Sequence, residues 1–205
     1  CHAVAYAHSR GVLHRDIKPQ NIMLGAYGET FVVDWGLAKP IGRTRTDEDP
    51  CEQTLRISPD ANLSVDYGGI VGTPAYMSPC QAAGKHHLLG PESDVYSLGA
   101  TLYFILAGRP PVREHLLPEA SDKVRRGDIP PPRSFDPQLS KNLEAICRKA
   151  MALRIEDRYP TVRDLVDDLE HWLADEPVSA RKESRTERII RIAWRTRSWP
   201  WAMTV

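Results

Sequence analysis

His14-Arg15-Asp16-Ile17-Lys18-Pro19-Gln20-Asn21 is the stretch on which the reading of this 205-residue chain turns. It sets one acid, two cationic side chains, a histidine and two amides within eight residues. Pro19 lacks a backbone N–H and biases Lys18 away from helical angles, so these groups sit on a loop. Downstream, Ile22, Met23 and Leu24 make a short apolar strand, Gly25 to Gly28 make a turn, and Phe31, Val32 and Val33 make a second strand ending at Asp34-Trp35-Gly36. Two short strands joined by a glycine-bearing turn predict a hairpin, which carries Asn21 and Asp34 toward one another. Upstream, Cys1 to Arg10 carries Val4 and Ala7 at helical spacing and stops before Gly11.

From Leu37 to Val71 the sequence is polar and aperiodic, which predicts a long loop of the functional kind. Order returns at Gly72-Thr73-Pro74-Ala75-Tyr76-Met77-Ser78-Pro79. Ser93 to Ala107 is the most apolar helix, with Val95, Leu98, Leu102, Ile105 and Leu106 spaced for burial, and is expected to be the central one. Asp94, Ser97 and Gly99 interrupt it too often for a membrane span. Shorter amphipathic helices are expected over Pro118 to Arg126 and Leu139 to Leu153, the latter burying Leu143, Ile146, Cys147 and Ala150. The last spans Val162 to Trp172 behind Thr161 as N-cap. Helices dominate after Ser93, and the fold class expected is mainly α.

Lysine plus arginine equals aspartate plus glutamate, so global charge gives no sign of a nucleic-acid partner, and none is expected. Cys1, Cys51, Cys80 and Cys147 form no Cys-x-x-Cys pair, which argues for a reducing compartment and against a zinc knuckle or a disulfide framework. The chain opens on Cys1 without a basic-then-apolar leader and reads as a piece of a longer protein.

Four stretches in order, His14 to Asn21, Asp34 to Gly36, Gly72 to Pro79 and Asp94 to Gly99, resemble the helical C-terminal lobe of a eukaryotic-like serine/threonine protein kinase of bacterial type. The resemblance covers about Cys1 to Trp172, and Lys18 two positions after Asp16 is similar to the Ser/Thr branch. It implies a C-lobe over residues 1–173 with short β-hairpins carrying the catalytic loop, an activation segment over 34–80, and no N-terminal β lobe within this sequence.

The chemistry implied is phosphoryl transfer from ATP, which asks the protein mainly for positioning and charge neutralisation. By this resemblance Asp16 accepts the acceptor hydroxyl's proton or orients that hydroxyl, and Lys18 neutralises charge on the moving phosphoryl group. Asn21 and Asp34 supply oxygen ligands to Mg2+, and Thr73 bonds near Asp16 and Lys18. His14 is implied to support the loop and Asp94 to anchor its backbone. Arg15 resembles the arginine that grips an activation-loop phosphate. Candidate phosphoacceptors are Thr44, Thr46, Thr54, Ser58 and Ser64. ATP and Mg2+ are the implied cofactors, and proteins bearing Ser or Thr, this kinase itself among them, the implied substrates.

Three departures stand out. Trp35 replaces the usual Phe beside the metal-binding Asp. Cys80 stands where the pattern places a glutamate whose partner position is Arg158, so Arg158 is expected to lack its ion pair. A glycine-rich loop and a strand lysine for the nucleotide are absent from these 205 residues, which predicts an inactive fragment. The alternative is a kinase-like, non-catalytic binding module. The intact Asp16, Lys18, Asn21 and Asp34 favour the enzyme.

Arg181 to Arg197 holds seven basic residues against Glu183 and Glu187, then Trp194, Trp199 and Trp201 lead into the chain's end. The favoured reading is a basic juxtamembrane linker over 174–198 and the start of a transmembrane segment over 199–205, at the cytoplasmic face of a membrane. A solvated helix with a frayed end is the other reading.

Overall fold

The computed structural model describes residues 1–41, 72–85, 88–113, 117–184 and 186–189. Helix α1 (His2–Ser9) buries Val4 and Ala7, and the chain leaves it through Gly11, whose φ of 74° lies in the left-handed region open to glycine. Strand β1 (Val12–Leu13) follows, then a short 3-10 turn at Pro19–Asn21. Strands β2 (Ile22–Leu24) and β3 (Thr30–Val32) pair antiparallel with Ile22 opposite Val32, the hairpin that the alternation of strand and turn residues predicts.

The segment after Leu37 is not loop throughout, as the polar composition had suggested. Strand β4 (Lys39–Pro40) pairs antiparallel with β1, Leu13 opposite Lys39 and Val12 opposite Pro40. Two residues carry no readable alternation, and a proline is tolerated in such an edge strand, which is why the pairing is silent in the sequence.

Beyond the 3-10 turn Pro74–Tyr76 lie α2 (Pro79–Ala82), α3 (Pro91–Ala107), α4 (Leu117–Arg126), α5 (Lys141–Ala150) and α6 (Val162–Leu173). Helix α3 is central because two hydrophobic clusters meet on it. Val95 and Leu98 join Val4, Ile17, Ile146 and Leu165 on one side. Tyr96 and Ala100 join Tyr76, Val112, Ala120 and Val124 on the other. That double duty explains why α3 is apolar nearly all round. Its last turn departs from the expectation: Ile105 is 71% exposed, while its neighbour Phe104 packs against the second cluster and Gly108 turns the chain away.

Helix α5 meets α3 at Gly99. A Cβ there would lie 2.7 Å from the Ala150 Cβ and 2.9 Å from the Met151 Cγ, so only glycine allows this approach. Thr161 caps α6, its hydroxyl accepting from the Asp164 N–H while the Asp164 carboxylate accepts from the Thr161 N–H. After α6 the chain folds back. Asp168, 2% exposed, accepts from the Tyr159 hydroxyl at 2.6 Å, from the Ser179 N–H and hydroxyl and from the Ala180 N–H. Burial pushes the Asp168 carboxyl up, but these bonds outweigh it and hold it below its ordinary value. Val178 is buried and Ala180 packs beside it on the first cluster.

Among the described residues no helix is long and apolar enough to cross a membrane. The segment 199–205, expected to begin a span, and the candidate phosphoacceptors Thr44, Thr46, Thr54, Ser58 and Ser64 lie outside the described residues.

Candidate active site

The loop between β1 and β2 is built around Asp16, which is 5% exposed. Its Oδ2 lies 2.8 Å from the Lys18 Nζ. Its Oδ1 accepts from the Thr73 N–H at 3.0 Å and the Thr73 hydroxyl at 3.1 Å. Lys18 also donates to the Thr73 hydroxyl at 2.9 Å. The Asn21 Nδ2 donates to the Asp16 backbone carbonyl at 2.8 Å and to its Oδ2 at 3.3 Å. One carboxylate thus collects donors from three residues, two on its own loop and Thr73 from 57 residues further on. Gly72 admits this closeness through its backbone: φ 122° is a conformation that side-chain-bearing residues rarely adopt, while a Cβ there would make only ordinary contacts with the Arg15 carbonyl at 3.4 Å and the Asp16 Oδ1 at 3.6 Å.

The loop backbone is held from behind by α3. Asp94, 1% exposed, accepts from the His14 N–H at 2.8 Å through Oδ2 and from the Arg15 N–H at 2.9 Å through Oδ1. A third bond reaches its Oδ2 from the His8 Nε2 of α1 at 2.8 Å. Gln81 of α2 donates to the Arg15 carbonyl at 2.8 Å. Both peptide groups of Arg15 are therefore fixed while its φ is 71°, a left-handed conformation that costs a non-glycine residue about 1 to 2 kcal/mol. The Arg15 Nε is buried without a partner, and burial pulls the guanidinium below its usual value while Asp94 opposes that shift.

His14 is fully buried and bridges the loop to the end of the hairpin. Its Nε2 donates to the Val33 carbonyl at 3.1 Å and its Nδ1 accepts from the Asp16 N–H at 3.3 Å, which assigns the proton to Nε2. Its ring lies 4.6 Å from that of Trp35, centroid to centroid, and the Trp35 indole donates to the Val32 carbonyl. Trp35 thus contacts the buried histidine ring, and its N–H is satisfied by the hairpin backbone.

The β2–β3 pairing continues one step past the strands, the Val33 N–H donating to the Asn21 carbonyl at 2.9 Å. Asn21 and Asp34 consequently leave the same end of the hairpin. Asp34 is exposed, with φ 63°. Because the Asn21 amide nitrogen is spent on Asp16, its carbonyl oxygen is the atom left to offer a cation. An amide oxygen and a carboxylate suit a hard divalent ion that keeps several waters. No group of three or more acidic, His or Cys side chains capable of holding a metal occurs among the described residues.

Arg158 is 3% exposed and, as the cysteine at position 80 foretells, makes no carboxylate pair among the described residues. It is not bereft of partners. Its Nε donates to the Ala152 carbonyl, Nη1 to the Glu92 carbonyl and Nη2 to the Leu153 carbonyl, at 2.8 to 3.2 Å, and its Cζ stands 5.0 Å from the Tyr96 ring centroid. Burial still lowers its pKa, with Tyr96, Cys80 and Glu92 pulling the other way. The expectation of an uncompensated charge is corrected accordingly: the donors are satisfied by dipoles.

His8 and Gln81 escaped the sequence reading. His8 stands four residues after Val4, on the buried stripe of α1, which is the one signal that could have flagged it. Gln81 hides behind a capping box in which it and Ser78 bond each other reciprocally.

Comparison with known proteins gives this arrangement a family context. Residues 1–169 match the protein kinase domain. The chain is 38% identical over 179 residues to the serine/threonine-protein kinase PknD of Protochlamydia amoebophila (strain UWE25), an alignment covering 84% of this chain and 18% of that protein. It is 35% identical over 183 residues to the serine/threonine-protein kinase PknB of Mycobacterium leprae (strain TN), covering 89% and 26%. Against the serine/threonine-protein kinase PknD of Chlamydia pneumoniae it is 35% identical over 183 residues, covering 86% and 19%. The chain therefore spans about a fifth to a quarter of the length of these relatives.

Proposed function

The chain belongs to the protein kinase domain family, and from that premise we propose that it is the acceptor- and metal-binding lobe of an ATP-dependent serine/threonine protein kinase. The observation that carries this reading is the convergence of Lys18, Asn21 and Thr73 on the Asp16 carboxylate. A binding scaffold has no chemical need for a buried acid, a cation and a hydroxyl interlocked in this way.

Asp16 is the group that orients a Ser or Thr hydroxyl and takes its proton as the oxygen attacks phosphorus. Thr73 holds the Asp16 Oδ1, so that Oδ2 and its lysine face the reacting groups. Lys18 offers its ammonium to the phosphoryl oxygens as charge moves toward the leaving group. Asn21 and Asp34 are the residues that would hold Mg2+, which when bound neutralises nucleotide phosphate charge. Asp94, His8 and Gln81 touch none of the reacting atoms and position the loop.

The sequence holds no glycine-rich loop or strand lysine for the nucleotide, so the 205 residues alone are expected to show no phosphotransfer. The parent protein is read as cytoplasmic, at the inner face of a membrane if the tryptophan-bearing tail runs on into a span. Phosphate placed on the loop carrying Thr44, Thr46, Thr54, Ser58 and Ser64 would find Arg15, whose buried Nε lacks a partner.

The test is incorporation of labelled phosphate into a Ser/Thr protein by the parent protein, with and without Asp16→Asn. Loss of about a thousandfold or more is expected from the substitution. Parent protein that is folded and binds ATP yet transfers nothing, with or without Asp16, would favour the binding-module reading. Mass spectrometry after incubation with ATP tests the loop, and an unmodified loop in a fully active enzyme would remove Arg15 from regulation.

A further inference from the structure

The stretch 177–184 lies beyond the residues that match the protein kinase domain, yet it is built into the lobe. Val178, 4% exposed, sits in the first hydrophobic cluster, and Ala180 packs against that cluster. Between them Ser179 gives its N–H and its hydroxyl to Asp168, at 2.6 and 2.9 Å, and the Ala180 N–H adds a third bond at 2.9 Å. The Tyr159 hydroxyl supplies the other. Among the described residues, three of the four hydrogen bonds to this buried carboxylate therefore come from two residues of the stretch. Without them an anion 2% exposed would be left with a single donor, an arrangement that strongly favours the fastened state. Lys149 of α5 secures the same point, its Nζ donating to the Ser179 hydroxyl at 2.9 Å and standing 4.2 Å from the Tyr159 ring centroid.

The outer end is fastened too. The Arg181 Nη1 donates to the Asn142 Oδ1 of α5 at 2.9 Å, and its Nη2 lies 2.6 Å from both Glu187 carboxylate oxygens. Glu187 and Ser184 in turn form a capping box at the start of the helical turn over 186–189. The basic tail thus leaves the lobe from an anchored start.

Two connections run from this stretch to the Asp16 loop. The cluster that takes Val178 also takes Ile17, which stands between Asp16 and Lys18 and is 1% exposed. Tyr159 follows Arg158, whose Nη1 donates at 3.1 Å to the Glu92 carbonyl, two residues before Asp94 on α3. A close-packed interior transmits displacement along such contacts.

We infer that residues 177–184 form a strap that governs the order of the Asp16 loop. Fastened on Asp168, it completes the cluster that seats Ile17; released, it leaves the loop free to open, so that unfastening the tail lowers turnover. The effect on turnover rests on the kinase reading above; the effect on the loop does not.

The test is hydrogen exchange, followed residue by residue by NMR on the full chain and on Ser179→Pro, which deletes two of the Asp168 donors. The Ala180, Arg15 and Asp16 amides are expected to exchange at least tenfold faster in the variant, while the Val124 amide of α4, in the second cluster, stays within twofold. Val178→Thr, nearly isosteric, should give the same pattern to a smaller degree and serves if the proline variant does not fold. Equal acceleration at Val124 would mean destabilisation throughout and would overturn the proposal. So would loop amides that keep their protection, or an Ala180 amide still protected in Ser179→Pro. In the parent protein Ser179→Pro should lower kcat at least fivefold with the KM for ATP unchanged, and an unchanged kcat beside an opened loop would overturn the link to turnover. If the loop amides respond as expected while the unaltered parent proves unable to transfer phosphate, the strap stands and the kinase reading falls.

Discussion

Asp94→Asn is nearly isosteric, and the structure says how much it should cost. The carboxylate serves three donors: the Arg15 N–H on Oδ1, and the His14 N–H and His8 Nε2 on Oδ2. Asparagine has one oxygen. Placed at the Oδ2 position it keeps two donors and turns an amide NH2 toward the third, the Arg15 N–H. Losing one hydrogen bond to a charged acceptor costs about 1.5 to 3 kcal/mol. The two that survive weaken because a neutral acceptor replaces a charged one. Together these give a loss of about 2 to 4 kcal/mol, a large part of the 5 to 15 kcal/mol typical of a whole domain. With a urea m-value of about 2 kcal/mol/M, the unfolding midpoint should fall by about 1 to 2 M. Arg15 offers an internal control. Its left-handed backbone is strained, so adding Arg15→Gly to the Asp94→Asn chain should recover about 1 kcal/mol. Hydrogen exchange should show the His14 and Arg15 amides opening well before those of α5. A midpoint shift under about 0.5 M, or unchanged protection at His14 and Arg15, would mean that α3 does not hold the loop.

Three further outcomes follow from the geometry. Gly99→Ala gains helix propensity of about 1 kcal/mol but drives a Cβ to 2.7 Å from that of Ala150, so the overpacking cost of about 1 to 3 kcal/mol should win and lower the melting temperature; a rise would show that α5 can slide away. Cys80→Glu should raise the melting temperature by placing a carboxylate within electrostatic reach of Arg158, the gain in stability being only about 1 to 2 kcal/mol because three carbonyls already satisfy the guanidinium; a drop would show that the cation prefers its dipoles. Burial pushes the Cys147 thiol up to about 12, so at pH 8 iodoacetamide should modify exposed Cys1 and half-buried Cys80 while leaving Cys147 intact until urea unfolds the chain; early labelling of Cys147, read by peptide mass mapping, would show that the contact between α3 and α5 opens.

What the sequence discloses here is what lies close along the chain. Asp16, Lys18 and Asn21 fall within six residues, the hairpin that follows is signalled by its own turn, and Thr161 announces α6 through Asp164 three positions on. Each is a local relation with a local physical cause. The undetected features join distant segments. His8 meets Asp94 across 86 residues and Gln81 meets Arg15 across 66. The β1–β4 pair is two residues long, below the length at which alternation means anything. Arg158 is the instructive case: a missing glutamate is visible in the sequence, but the carbonyls of Ala152, Leu153 and Glu92 that stand in for it are backbone atoms, which every residue possesses and no residue type advertises.

The same distinction explains why a loop of unremarkable propensity can hold an active-site geometry. Arg15 and Asp34 both adopt left-handed backbone angles, at φ 71° and 63°, without being glycine. At Arg15 this costs about 1 to 2 kcal/mol, which nothing in the loop's own sequence offsets, and at Asp34 less, because aspartate tolerates the left-handed region better. The offset at Arg15 arrives from α3 through Asp94 and from α2 through Gln81. At the other end His14, held by its own peptide N–H to Asp94, reaches the Val33 carbonyl just before Asp34. The two strained residues are therefore coupled through His14 and anchored on one buried carboxylate. On this view a substitution at His14 should disturb Asp34 more than a substitution at Lys18 does, although Lys18 touches Asp16 directly. His14→Ala removes the ring that spans loop and hairpin, and chemical shifts at Val33 and Asp34 should move with it. In Lys18→Ala those shifts should stay near their original values. Equal perturbation at Asp34 in both variants would show that the charge network around Asp16, and not the histidine bridge, sets the hairpin's end.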